Sequence, residues 1–274
     1  MHPDLLPWLR CPVSQTSLSL HDARWRDGLV WSGTLVSAVG QQWPIRDGIV
    51  DLLPRSAAWN GAQVVNRLPL AAWGYERLWR WQALSKLSGR SFPLDEEVAL
   101  LIAQLAPQRG GLYLDLACSN GLYARAIAAN LPADSHCVAL DHSLPMLREA
   151  QRRSRAKRLN MSYIRGLAED LPFADQCLAG VACGGSLNEF VRPDRAISEV
   201  RRCLLAAGRS FWMQAQQAAS RSGRLFQTFL LSGGIQFLAG DQFVASLRAA
   251  GLHISFEQRD GAVQIVATRG RIIA

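Results

Sequence analysis

From Pro93 onward the chain alternates between short apolar runs and amphipathic segments two to four turns long. Pro93 opens a helix reaching about Leu105, and Asp95, Glu96 and Glu97 fill its first turn, where the helix dipole favours acids. Leu112–Leu116 reads as a short strand, apolar except for its acid, and Leu122–Ala129 as a helix closed by Asn130 and Pro132. Cys137–Leu140 reads as a strand ending at Asp141, Pro145–Arg158 as a strongly basic helix, and Met161–Ile164 as strand-like. Cys177–Cys183 and Arg209–Gln214 continue the strands, while Pro193–Leu204 and Gln242–Ala250 continue the helices. This alternation predicts an α/β fold with a mostly parallel sheet covered on both faces. Two successive strands, His253–Glu257 and Val263–Thr268, predict an antiparallel edge pair that closes the sheet.

Residues 1–54 carry a different rhythm. Leu29–Trp31 and Leu35–Val39 are short runs set off by Asp27-Gly28, Ser32-Gly33 and Gly40, with Asp47-Gly48 further on, which is hairpin punctuation. Residues 55–92 form an interrupted helical connector rich in rings, among them Trp59, Trp73, Tyr75, Trp79 and Trp81. The predicted division is therefore 1–54, a small β-rich unit; 55–92, a connector or lid; and 93–274, the main domain.

Composition narrows the classes. With 274 residues, 49% hydrophobic, the chain has material for a substantial core. A formal charge of +8 raises the chance of an anionic partner, nucleic acid or acidic lipid. Six cysteines without a CxxC pair point to a reducing, cytoplasmic compartment and no disulfide framework. No signal peptide is expected at the start, and no run reaches the roughly 18 apolar residues of a membrane span.

The chemistry concentrates at Tyr113-Leu114-Asp115-Leu116-Ala117-Cys118-Ser119-Asn120-Gly121. An apolar strand ends in an acid, small residues follow, and a glycine leads into a helix. In an open α/β sheet a ligand binds beyond the carboxyl ends of the strands, where small residues let it approach the backbone. Asp141 ends the next strand, where a carboxylate can accept both hydroxyls of a ribose.

This segment resembles the first motif of class I S-adenosylmethionine-dependent methyltransferases of the UbiE/type 11 kind, whose usual form is LDxGCGTG. Asp115, Cys118 and Gly121 match it, while Ala117 and Ser119 stand at its first two glycines. The resemblance covers roughly residues 93–270 and implies a Rossmann-like, seven-stranded methyltransferase sheet. It implies S-adenosylmethionine as cofactor and S-adenosylhomocysteine as product, with Asp141 on the ribose and His142 and Met146 beside the adenosine. Gly166–Phe173 resembles the family's GDAExLPF stretch, with Leu167 where an aspartate meets the adenine amino group and Ala168 next to it. Cys183 falls at the end of the fourth family strand. Ala117, Ser119 and Leu167 depart from the pattern and put cofactor affinity and methyl transfer in question. Asn188, Glu189 and Tyr75 are weak catalytic candidates.

Cys11-Pro12-Val13-Ser14, together with Gly40–Leu53, resembles a zinc-ribbon head carried by some ribosomal RNA methyltransferases. Only Cys11 survives of its four ligands, with Ser14, Val36 and Val39 at the others. Because tetrahedral zinc needs four donors, the expectation is a metal-free head with Val36 and Val39 filling the space. The rings of the connector fit a small-molecule lid, base stacking, or plain packing. Arg148, Arg152, Arg153, Arg155, Lys157 and Arg158 fit a solvated face, peripheral contact with an anionic membrane, or RNA phosphate. Three functions remain open: a methyltransferase acting on an apolar or aromatic, quinone- or pigment-like small molecule; an RNA base methyltransferase; and a non-catalytic binding protein on a decayed methyltransferase fold.

Overall fold

The computed structural model describes residues 1–54, 61, 85, 87–218, 224, 227, 228 and 234–270. Most of the 55–92 connector, including Trp59, Trp73, Tyr75, Trp79 and Trp81, lies outside them.

Among the described residues one sheet of eleven strands runs in the order β1-β2-β3-β4-β7-β6-β5-β8-β9-β11-β10. β1 (Leu18–Arg26), β2 (Leu29–Ser37), β3 (Gln42–Arg46) and β4 (Ile49–Asp51) form an antiparallel meander. β5 (Leu112–Leu116), β6 (His136–Asp141), β7 (Met161–Arg165), β8 (Leu178–Gly184) and β9 (Leu204–Ala215) form the parallel centre. β10 (His253–Asp260) and β11 (Val263–Arg269) close the far side antiparallel, as their succession in sequence predicts. The helices among the described residues include α1 (Leu94–Leu105), α2 (Leu122–Ala128), α3 (Leu144–Ala156), α4 (Pro193–Cys203) and α5 (Gly240–Ala249).

Two-residue alternation sorts the strand side chains between two cores. Leu112, Leu114 and Leu116 of β5 join Val138 and Leu140 of β6 against Ile197 and Val200 of α4 and Phe243 and Leu247 of α5. Tyr113, Cys137 and Ala139 face the opposite way, against Leu101 of α1, Ile127 of α2 and Leu147 of α3. Asp115 and Asp141 are in step with this second set, so both strand-end acids face the α1–α3 layer.

The N-terminal unit continues the main sheet. β4 lies parallel to β7, pairing Ile49 with Tyr163, Val50 with Ile164 and Asp51 with Arg165. Its apolar residues Leu5, Leu9, Val30, Leu35 and Val50 merge with the core under α4 and α5. Ser32-Gly33 is not a turn, because β2 runs straight through it. The glycine serves close approach instead: a Cβ on Gly33 would sit 3.0 Å from the His21 carbonyl oxygen, at the bulge of β1. Val39 is 63% exposed on a turn outside the strand and Val36 is half-buried, so Val39 does not fill a vacated metal space. Cys11 instead donates its thiol to Gln41 Oε1 at 2.8 Å. Among the described residues no three His, Cys, Asp or Glu side chains converge as metal ligands. All six cysteines are free and buried. Among the described residues no helix is long and apolar enough to cross a membrane.

His136, at the start of β6, bonds Ser162 Oγ through Nε2 at 2.8 Å, with the His2 ring 5.0 Å away. Burial, reinforced by His2, lowers its pKa to about 4 from the usual 6.5. Between those values the unfolded chain binds a proton that the folded chain refuses, so stability is full above 6.5 and falls as the pH drops toward 4. Equilibrium denaturation at several pH values should show His136→Asn losing this component, worth at most about 3 kcal/mol. The stability gap between variant and parent should therefore narrow as pH falls from 6.5 to 4. A gap that does not move with pH would contradict the assignment.

Candidate ligand site at the strand ends

The site is built where β5 and β6 end side by side. Asp115 is 2% exposed, and its Oδ2 accepts the Ala124 amide at 2.7 Å inside the first turn of α2. Gly121, the residue before that helix, offers no side-chain cap, so the strand-end carboxylate satisfies a helix donor in its place. Asp141 is 5% exposed and holds two backbone amides: Ser119 N to Oδ2 and Ser143 N to Oδ1, both at 2.8 Å. The Cys118 amide donates to the Leu140 carbonyl at 2.9 Å. The 117–121 loop is thereby fastened across to the end of β6. Ser143 then caps α3, its Oγ accepting the Met146 amide at 3.4 Å.

The loop backbone alternates into the left-handed region at Ala117 (φ 53°), Ser119 (φ 50°) and Gly121 (φ 75°). All three glycine positions of the motif thus keep a glycine-like conformation, although two carry side chains. An alanine or serine in that region costs of order 1 kcal/mol. Gly121 has a second reason to lack a side chain, since a Cβ there would lie 2.9 Å from the Cβ of Ala150 in α3.

The donor set suits a nucleoside. Asp141 uses one lone pair on each oxygen and retains others for hydroxyl donors. Among the described residues the buried Asn120 Nδ2 in the same loop has no hydrogen-bond partner, so a ligand acceptor could take it up. The Gly166 amide donates to the Asp141 carbonyl at 3.1 Å and draws the following residues to the same place. Leu167 is half-buried and Ala168 buried, an apolar wall suited to a flat ring. Met146 is buried at the start of α3, and His142 is half-buried beside Asp141.

Other residues named from the sequence have structural partners. Burial pushes the Cys118 thiol well above its ordinary pKa, with Asp141 and Asp115 adding to it, which keeps it a neutral packing group. Cys183 is fully buried between Leu116 and Trp212. Asn188 donates from Nδ2 to the carbonyls of Ala215 at 2.7 Å and Gln236 at 2.6 Å, and Oδ1 accepts the Ala215 amide. Both of its amide hydrogens are therefore committed, clamping the β8 exit to the end of β9 and to the segment that leads into α5. Glu189 lies half-buried on a short 3-10 turn, and Tyr75 lies outside the described residues. Sequence reasoning passed over Arg165 and Ser186. The first contacts the His142 carbonyl from Nε at 3.1 Å; the second donates Oγ to the Ala117 carbonyl at 3.3 Å. Alternation along β7 carries the signal for Arg165: it is two residues beyond Tyr163, on the face of the strand-end acids.

Residues 114–208 match the family model described as a methyltransferase domain. An uncharacterised chloroplast methyltransferase of Arabidopsis thaliana is 33% identical over 52% of this chain and 41% of its own length. The demethylmenaquinone methyltransferase of Symbiobacterium thermophilum is 31% identical over 44% of this chain and 49% of its own. The chain spans about half the length of the curated relatives it matches. Among solved structures, the [4+2]-cyclase SpnF superposes with a TM-score of 0.61 at 17% identity, over 79% of this chain and 98% of that one. The fold is the Rossmann-like methyltransferase fold, with an N-terminal β-rich extension.

The left-handed positions give opposite expectations for opposite substitutions. Ala117→Gly should raise the free energy of unfolding by about 0.5–1 kcal/mol, against the usual penalty for placing glycine in a fold. Gly121→Ala should lower it by about 2 kcal/mol or more through backbone strain and overlap with Ala150. Urea denaturation reads both, and a destabilising Ala117→Gly would contradict the strained-loop reading.

Proposed function

We propose that this protein is an S-adenosylmethionine-dependent methyltransferase acting on an apolar or aromatic small molecule of quinone-like kind. The observation that carries the reading is the pair of buried carboxylates on one face of adjacent strand ends, spanned by a backbone loop that Asp141 ties down. In this reading Asp141 takes the ribose hydroxyls, Leu167 and Ala168 flank the adenine, and Asn120 with the 117–121 loop faces the amino-acid end. When bound, S-adenosylmethionine supplies a methyl group already activated on a sulfonium, so the protein's task is to orient the acceptor and exclude water. The substrate class rests on the demethylmenaquinone methyltransferases among the relatives.

The basic helix supports a site of action beside an anionic membrane. Arg148, Arg152 and Arg155 are exposed at four- and three-residue spacing, which places them on one face of α3. Arg153 and Arg152 share Glu149. The guanidinium groups of Arg26 and Arg155 lie 5.1 and 4.7 Å from the Trp31 ring, so this ring is already engaged by cations and less open to stack on an RNA base.

Isothermal calorimetry with S-adenosylmethionine and S-adenosylhomocysteine should give saturable binding, and Asp141→Ala should weaken it at least tenfold. Transfer of labelled methyl should be recovered in a demethylated naphthoquinone and not in RNA. No heat at millimolar cofactor would overturn the cofactor reading. Label recovered only in RNA would replace the substrate class.

A further inference from the structure

At the ends of three neighbouring strands, an acid, a base and an acid stand in one row. Asp51 of β4 is in register with Arg165 of β7, and Arg165 is in register with Asp141 of β6. Alternation puts all three on the α1–α3 face, in step with Ile49, Tyr163 and Ala139 of the core beneath that layer. Adjacent strands are about 5 Å apart, so a side chain as long as arginine can reach the acid on either side. The structure resolves the choice in one direction. Arg165 Nη1 donates to Asp51 Oδ2 at 3.1 Å, and Nε donates to the His142 carbonyl at 3.1 Å. Among the described residues, the Asp141 carboxylate accepts the backbone amides of Ser119 and Ser143.

We propose that Asp51 is a positioning residue for the nucleoside site: it holds Arg165 away from Asp141, so that Asp141 remains open to ribose hydroxyls. The inference rests on the cofactor reading above and adds a role for the N-terminal unit. An arginine beside a buried carboxylate forms a two-point, charge-assisted pair that neutral hydroxyls cannot displace easily. Asp51 outcompetes that pairing because β4 delivers it at the same depth in the sheet, with the Leu52 amide fixed on the Arg165 carbonyl at 2.8 Å. Held there, Arg165 also pins the His142 carbonyl, and so the turn between β6 and α3. The side chains of Asp51 and Arg165 are 28% and 18% exposed, so the pair is well shielded from solvent without being sealed. In this proposal the head acts on the site through the Asp51–Arg165 ion pair.

Loss of Asp51 should harm binding by freeing Arg165, so removing Arg165 as well should restore it. The test measures S-adenosylhomocysteine affinity calorimetrically for the parent chain, Asp51→Ala, Asp51→Glu, Arg165→Met and the Asp51→Ala/Arg165→Met double variant, with thermal melts of each. The expected results are a Kd at least tenfold higher for Asp51→Ala, near-parental affinity for Asp51→Glu, and a two- to threefold rise for Arg165→Met. The double variant should match Arg165→Met. A role confined to stability would move the melts and leave the double variant no tighter than Asp51→Ala; that result, or an unchanged Kd for Asp51→Ala, overturns the proposal. Failure of the parent chain to bind would strike the cofactor reading instead, which keeps the two failures distinct.

Discussion

The carboxylate of Asp141 joins two crossovers that the chain makes separately. One of its oxygens takes an amide from the loop leading into α2, and the other takes an amide from the turn leading into α3. It works with the Cys118–Leu140 backbone bond and the Ser186 contact to Ala117 to hold the loop, which visits the left-handed region at three alternate positions. Buried amides need partners, and here one buried acid satisfies donors from both sides of the sheet's central pair. In the cofactor reading proposed above, the same acid meets the ribose, so a single side chain would set both the shape of the loop and the affinity for the ligand. Asp115 secures the start of α2 in parallel.

The alternation of strands and helices was legible because buried parallel strands are short apolar runs and their covering helices are amphipathic. Boundaries from Leu112 to Arg269 fall within a few residues of the sequence expectation, apart from β9, which begins at Leu204. The two strand-end acids were equally legible, since a charged residue closing an apolar run has few places to be. Ser32-Gly33 misled because glycine marks close approach as well as turns, and here the bulge in β1 demanded it. Val39 misled because matching a motif position says nothing about burial. The role of Asn188 was invisible because its partners, Ala215 and Gln236, are distant in sequence. Arg165 was overlooked because its meaning depends on register with strands on either side, which a single run of sequence does not carry.

The head and the main domain are one sheet, and this changes what the head is for. A zinc ribbon stabilises itself through its metal; this unit is stabilised by pairing β4 with β7 and by sharing a core with α4 and α5. What holds it is apolar contact and a backbone ladder to the main sheet. Its hairpins also lie against α3, where Gln151 donates to the Asp47 carbonyl at 2.8 Å.

The strand order also decides where this chain can be cut. The free margins of the sheet are β1, which is bulged and carries exposed Arg24 and Arg26, and β10, whose exposed side chains include His253 and Glu257. Charge and irregularity at a margin discourage pairing between molecules. β7 is regularly paired with no bulge, its one charged side chain, Arg165, is paired to Asp51 of β4, and its other four side chains are buried. A fragment starting after residue 54 would expose that largely buried margin and leave Arg165 without Asp51. The boundary that looks natural in the sequence is thus a place where separating the two parts would create a surface prone to self-association.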